Sequence, residues 1–264
     1  MIRSALVMIF LWIAVWGTQS QVMVLNGLTH EFRMSPGEAQ KGYIDVRNVG
    51  KKPARVFLEV QDYSFHADGS TEYLDQGSLQ RSNAAWIILS PSFMTLEAGQ
   101  QFRFVFEVQP PQTDTLVGTY WSMIMVESDR VLDTSLFEGG FAVTSKVRYG
   151  IQVVTDIKGD ALAQLDFRDV AVNRLDSAYL LTVDIYNVGG VKLRPTPSLE
   201  IFHSNGHSLG TFSAEPRRLY PGTSHRFEIL LPDLAPGKYK GILLADTEGQ
   251  EVFGTQITLD ISDD

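Results

Sequence analysis

Apolar and polar positions alternate along most of the chain with a period of two. Ile44 and Val46 alternate with Asp45 and Arg47; Val56, Leu58 and Val60 alternate with Phe57, Glu59 and Gln61; Phe102, Phe104, Phe106 and Val108 alternate with Arg103, Val105, Glu107 and Gln109. The second half continues the pattern: Leu181, Val183 and Ile185 against Thr182, Asp184 and Tyr186, then Phe227, Ile229 and Leu231 against Arg226, Glu228 and Leu230. This is the period of strands with one buried face. Turn signals fall between them at Pro36-Gly37, Val49-Gly50, Asp68-Gly69, Ala98-Gly99 and Pro110-Pro111. Many short strands punctuated in this way predict a sandwich or a barrel.

The order of signals is used twice. Asn48-Val49-Gly50 recurs as Asn187-Val188-Gly189, and Gly99, Arg103, Phe104 and Gly118-Thr119-Tyr120 find counterparts in Gly222, Arg226, Phe227 and Gly237-Lys238-Tyr239. Two domains follow, at residues 22–158 and 159–262, with the joint at Lys158-Gly159-Asp160. The repeat is far longer than the 20 to 50 residues of solenoid arrays.

The first residues break the alternation. Arg3, the apolar run Leu6 to Trp16 and the small or polar Gly17, Thr18, Gln19 and Ser20 have the layout of a secretory signal peptide at residues 1–20, cut after Ser20. The run is short for a span, which needs about 20 apolar residues; an N-terminal anchor is the alternative. Removing Arg3 leaves 21 basic against 31 acidic residues, a net charge of −10. A net-acidic chain without a basic stripe argues against nucleic acid and anionic membrane surfaces as partners, and no second membrane run follows the leader. With no cysteine, neither disulfides nor thiolate zinc nor an acylated cysteine is available, and stability has to come from packing.

Chemistry-bearing motifs are few. Gly206-His207-Ser208-Leu209-Gly210 fits the nucleophile-elbow spacing by letter, but that motif needs a strand-to-helix turn. Here Leu199 to Phe202 reads as a strand, Asn205-Gly206 as a two-residue hairpin turn and Leu209 to Phe212 as the returning strand, so a hydrolase is the remote reading. His203 and His207 flank that turn without an evident third ligand. Asp62, Asp68, Glu72 and Asp75 lack EF-hand spacing, and His30 and His66 read as surface or turn residues. No cofactor or metal is expected, and no catalytic residue.

From Pro36 through Val126 the chain resembles the N-terminal domain of PapD-type periplasmic pilus chaperones. The matching pieces are Gly42 to Gly50, Trp86-Ile87-Ile88-Leu89-Ser90-Pro91, Leu96 to Gln101 and Gly118-Thr119-Tyr120-Trp121. The resemblance implies an all-β fold of two immunoglobulin-like β-sandwich domains in tandem and a non-enzymatic, periplasmic role in assembling pilus or other surface proteins. Val143 to Ile151 resembles the family's last strand of domain one, and Lys146 falls where the family carries a lysine that anchors a pilin's C-terminal carboxylate. The family's partner arginine on the first strand has no match in Asn26-Gly27-Leu28-Thr29-His30. Its acidic-arginine loop is replaced by Gln112 to Val117.

One strand departs from the alternation. Tyr120, Ile124 and Val126 make one face apolar and Trp121, Met123 and Met125 the other, so the outer face is either covered by the second domain or the Asp129 to Gly140 connection, or open to a partner. The following strand, Val143 to Ile157, alternates through Val147, Tyr149, Ile151 and Val153. The expected partner-binding set is Lys146, Val147, Tyr149, Ile151 and Val153 on an edge strand, with Trp121, Met123 and Met125 beside it. The partner is an envelope or surface protein, such as a pilin-like client held by strand pairing; the alternative is an adhesive module that recognises another surface protein or a glycan.

Overall fold

The computed structural model describes residues 22–129, 147–249 and 251–262; the predicted leader, Lys146 and most of the 129–140 connection lie outside them. The first half contains β1 (Val22–Val24), β2 (Thr29–Met34), β3 (Gln40–Asn48), β4 (Ala54–Phe65), β5 (Thr71–Leu74), β6 (Ile87–Ser90), β7 (Phe93–Leu96), β8 (Gln101–Val108), β9 (Gly118–Asp129) and β10 (Arg148–Ile157). They form a four-stranded sheet ordered β1-β3-β8-β6 facing a six-stranded one ordered β2-β10-β9-β4-β5, with β7 also on β4. The second half adds β11 (Leu165–Leu175), β12 (Ala178–Asn187), β13 (Thr196–Phe202), β14 (Ser208–Ser213), β15 (Ser224–Leu231), β16 (Gly237–Asp246) and β17 (Val252–Ile261). These make sheets ordered β11-β12-β15 and β14-β13-β16-β17. The fold is two immunoglobulin-like β-sandwiches in tandem.

The alternating apolar rows meet between the sheets. Ile44, Val46, Val56, Phe104, Phe106 and Val108 are buried in the first core; Leu181, Val183, Ile185, Phe227, Ile229 and Leu231 are buried in the second. The repeated motifs are the same staple made twice. The side chain of Asn48 donates to the carbonyls of Lys52 (2.8 Å) and Leu96 (2.9 Å) and accepts from Gly50 N–H; Asn187 donates to Val191 (2.8 Å) and Leu219 (3.1 Å) and accepts from Gly189 N–H. The paired arginines each clamp an aspartate on the neighbouring strand with two bonds, Arg103 to Asp45 and Arg226 to Asp184. Both asparagines are fully buried. A buried group left without its partner costs about 1–3 kcal/mol, so Asn48→Ala, which orphans two carbonyls, is expected to destabilise the first sandwich by about 3 kcal/mol. Chemical denaturation of the variant measures this.

The Asn205-Gly206 turn differs from expectation. His203 N–H donates to the His207 carbonyl (2.9 Å) and Gly206 N–H to the His203 carbonyl (2.8 Å), which makes a three-residue loop with Gly206 at φ 84°. A type I turn followed by a left-handed residue is the usual three-residue hairpin, and it explains the slip in β13–β14 register at Ile201/Phe202.

Candidate functional site

Strand β10 pairs antiparallel with β9 along its whole length, from Arg148 opposite Glu127 to Ile157 opposite Gly118. Its parallel pairing with β2 runs only from Gln152 opposite Thr29 to Ile157 opposite Met34. The expectation of an edge through Val153 is thereby corrected. From Gln152 onward both sides are paired: Gln152 N–H donates to the Leu28 carbonyl at 2.9 Å and Lys158 N–H to Met34 at 3.1 Å. Over Arg148 to Ile151 no strand pairs with the other side among the described residues. Backbone groups of alternate residues point to the same side, so Arg148 and Gly150 aim theirs where Gln152 reaches Leu28.

The half-open ladder is set by a crossover. Asn26 donates to the Tyr43 carbonyl at 2.7 Å and accepts from Asp45 N–H at 2.9 Å, so the chain up to this point stays on β3 and only β2 reaches β10. Tyr149 bridges the two sheets at this end, its hydroxyl donating to the Val22 carbonyl at 3.2 Å. Exposed Leu25 and Leu28 flank the crossover, and exposed Val147 precedes β10. Ile151 and Val153, expected to face a partner, are fully buried in the first core. Side chains of one row cannot fill their own core and a partner's pocket at once.

Trp121, Met123 and Met125 are also buried, which removes them from a free surface. They cluster with Tyr63, Val154 and Tyr220, the last from the second sandwich. The Tyr220 ring stacks on Trp121 with centroids 5.1 Å apart and planes 12° apart, and its hydroxyl donates to Gln152 Oε1 at 3.1 Å. Gly150 makes room for this layer, since a Cβ there would collide with the Met123 sulfur. Sequence reasoning missed Tyr220 because a tyrosine before Pro221-Gly222 reads as part of a turn.

A cavity of about 430 Å³ opens between the sandwiches, lined among others by Arg33, Thr119, Asp156, Lys158 and Lys192. Two cations of the second sandwich are spent on the joint. Lys192 Nζ lies 2.5 Å from Glu31 and 2.8 Å from Asp156, and Arg218 lies 2.7 Å from Glu31. Thr119 Oγ1 donates to Asp156 at 2.7 Å and accepts from Lys192 N–H at 2.8 Å. Arg33 and Lys158, by contrast, are exposed and make no ion pair among the described residues. Arg33 stands on β2, which pairs with the second half of β10. Lys158 follows the last residue of β10 and, with Lys192, lines the cavity.

Burial pushes the Glu31 carboxyl up, but hydrogen bonding and charge from Lys192, with Arg218 behind, outweigh it and hold it below its ordinary range. His30, expected at the surface, is half-buried with its ring edge-on to Phe106 at 5.1 Å, and burial depresses its pKa; His225, stacked 4.6 Å from Phe65 across the joint, is depressed by burial and by Arg217. For these depressed histidines the unfolded chain takes up protons first, so stability is full above about pH 6.5 and declines as pH falls toward the folded values. The Glu31 contribution is present above about pH 4.3 and is lost as pH falls through the depressed folded value. Denaturant midpoints measured from pH 8 to 3 are expected to fall in both windows, and His30→Phe is expected to flatten the upper one.

Ser208 sits on β14 with its hydroxyl donating to Glu200 at 2.9 Å and accepting from Gly210 N–H at 3.3 Å; no helix follows it. The His203 ring packs 5.2 Å from Tyr239. Asp62 is buried and accepts from Leu79 N–H and Ser82 Oγ, while Asp68 caps Ser70 in the β4–β5 turn, so the acidic residues do not converge. Among the described residues no group of three or more His, Cys, Asp or Glu is placed to hold a metal ion.

Solved structures share this architecture. A chaperone–tip adhesin complex of CFA/I fimbriae biogenesis is similar at 12% identity over 90% of this chain and 98% of that one, with a TM-score of 0.51. The class 5 fimbrial chaperone CfaA matches at 11% identity over 91% and 99%, TM-score 0.48. The CsuC–CsuE chaperone–tip adhesion subunit complex of Acinetobacter baumannii Csu pili matches at 12% over 79% and 90%, TM-score 0.43. The chain has the fold of PapD-like fimbrial chaperones, at identities that speak for fold alone. No protein-family model and no curated protein matches the sequence.

Proposed function

We propose that this chain is an exported, non-catalytic, chaperone-like protein that holds pilin-like or other envelope surface proteins by adding a strand at Arg148 to Ile151 of β10. The observation that carries the reading is the half-open ladder: β9 covers all of β10 and β2 covers only its second half. Strand addition draws affinity from main-chain hydrogen bonds and specificity from pockets for alternate side chains. Exposed Val147, with Leu25 and Leu28 across the gap, supplies apolar surface beside the unpaired backbone groups, while Tyr149 packs inward on the first core. The leader at residues 1–20 and the absence of cysteine suit an exported chain that folds without disulfides.

The client's terminal carboxylate docks between Arg33 and Lys158 in the cleft. Their neighbours Lys192 and Arg218 are already neutralised by Glu31 and Asp156, so these two cations have charge to offer an anion. A charge-assisted bond is worth about 1.5–3 kcal/mol, so Arg33→Ala with Lys158→Ala is expected to weaken capture roughly 10- to 100-fold. The experiment is capture from envelope extract by the immobilised mature chain, with retained chains identified by mass. Surface proteins retained by the wild type and depleted on the double variant support the reading; equal retention on both removes the carboxylate dock.

A further inference from the structure

Among the described residues, and apart from the half-open stretch of β10, all unpaired strand edges except one are short, irregular or carry at least two charged residues. β1, β5, β6 and β7 have at most four residues. β2 carries Glu31 and Arg33, β15 carries Arg226 and Glu228, and β14 is six residues with a register slip at its start. β11 carries Asp166, Arg168, Asp169 and Arg174 and breaks register between Arg168 and Ala171, with Asp169 at φ 48°. Such devices keep sheet edges from pairing with other chains.

β17 has none of them. It runs ten residues in unbroken register with β16, from Val252 opposite Asp246 to Ile261 opposite Gly237. It contains no proline, and its one charge, Asp260, is answered by Lys238 at 3.8 Å. No strand pairs with its far side among the described residues. Exposed Val252 and Leu244 add apolar surface on the adjoining outer face.

We propose that β17 is where two copies of this chain pair, antiparallel and two-fold, into one continuous sheet. A second copy brings the same unguarded edge, so a single isologous ladder covers both. The sequence is self-complementary in the register centred on Gln256. Phe253 then falls opposite Leu259 and Thr255 opposite Ile257, which extends the inward-facing row of β17 across the axis. Val252 falls opposite Asp260, so no like charges meet. Gln256, exposed, faces its own copy on the axis.

This pairing is independent of the client edge on β10 and has its own test. Sedimentation velocity of the mature wild-type chain over a wide concentration series is expected to show a monomer–dimer equilibrium. Gln256→Lys and Gln256→Glu each place like charges on the axis and are expected to weaken the dimer at least about tenfold, with the melting temperature of the monomer unchanged. An equimolar mixture of the two is expected to restore the dimer. A wild type that stays monomeric, variants that dimerise as the wild type does, or a mixture that remains monomeric overturns the proposal.

Discussion

Replacing Phe104 by alanine is expected to lower the stability of the first sandwich by about 3–5 kcal/mol, the range for buried phenylalanines. Phe104 is fully buried on β8, lies opposite Ile44 of β3 and meets the Phe102 ring edge-on with centroids 4.8 Å apart. Truncation removes one of the three phenylalanine rings of that row and leaves a hole between two sheets whose spacing other side chains maintain, so the walls relax only in part. Ile88→Ala on neighbouring β6 is the control: its side chain is 53% exposed, and surface substitutions usually stay within about 0.5 kcal/mol. Denaturant titrations of both variants decide the matter. An unchanged midpoint for Phe104→Ala means that the inward row of β8 is misassigned, and with it the alternation from which the fold was read.

That alternation made most of the fold legible. One-sided burial imposes a period of two, and Phe104, Ile44, Val183 and Ile229 all fell on the inward rows it marks. The Asn-x-Gly repeats were visible as letters, although their role, an asparagine feeding two distant carbonyls, needs the third dimension. The functional half was less legible, because it depends on which strands become neighbours. The parallel pairing of β2 with β10 joins residues at opposite ends of one domain, and no local pattern encodes where it stops. The crossover at Asn26 parts β1 on β3 from β2 on β10, so no local pattern shows that Arg33 comes to stand beside the end of β10. The apolar outer row of Trp121, Met123 and Met125 left a covered face and a partner surface both open and was assigned to a partner; it is covered, and the cover includes Tyr220, a residue with no strand pattern of its own.

Opening or blocking the free half of β10 is expected to have the largest effect on activity. Gln152 is unsuitable as a site for proline: its N–H already serves the Leu28 carbonyl, and proline there breaks the β2–β10 ladder and unfolds part of the first sandwich. Gly150 is unsuitable because any side chain meets Met123. Arg148 is the better position. It is the first residue of its strand, where proline is tolerated, and its N–H points to the open side. Its side chain pairs with Glu127, a half-exposed contact worth little that Arg148→Ala removes by itself.

The decisive measurement is therefore client capture by Arg148→Pro and Arg148→Ala side by side with the wild type, with the thermal melt of each chain recorded in the same buffer. Arg148→Ala should melt and capture as the wild type does, while Arg148→Pro should melt normally and lose capture, because only the proline removes the main-chain donor. An Arg148→Pro chain that is folded and captures clients undiminished would rule out strand addition at β10.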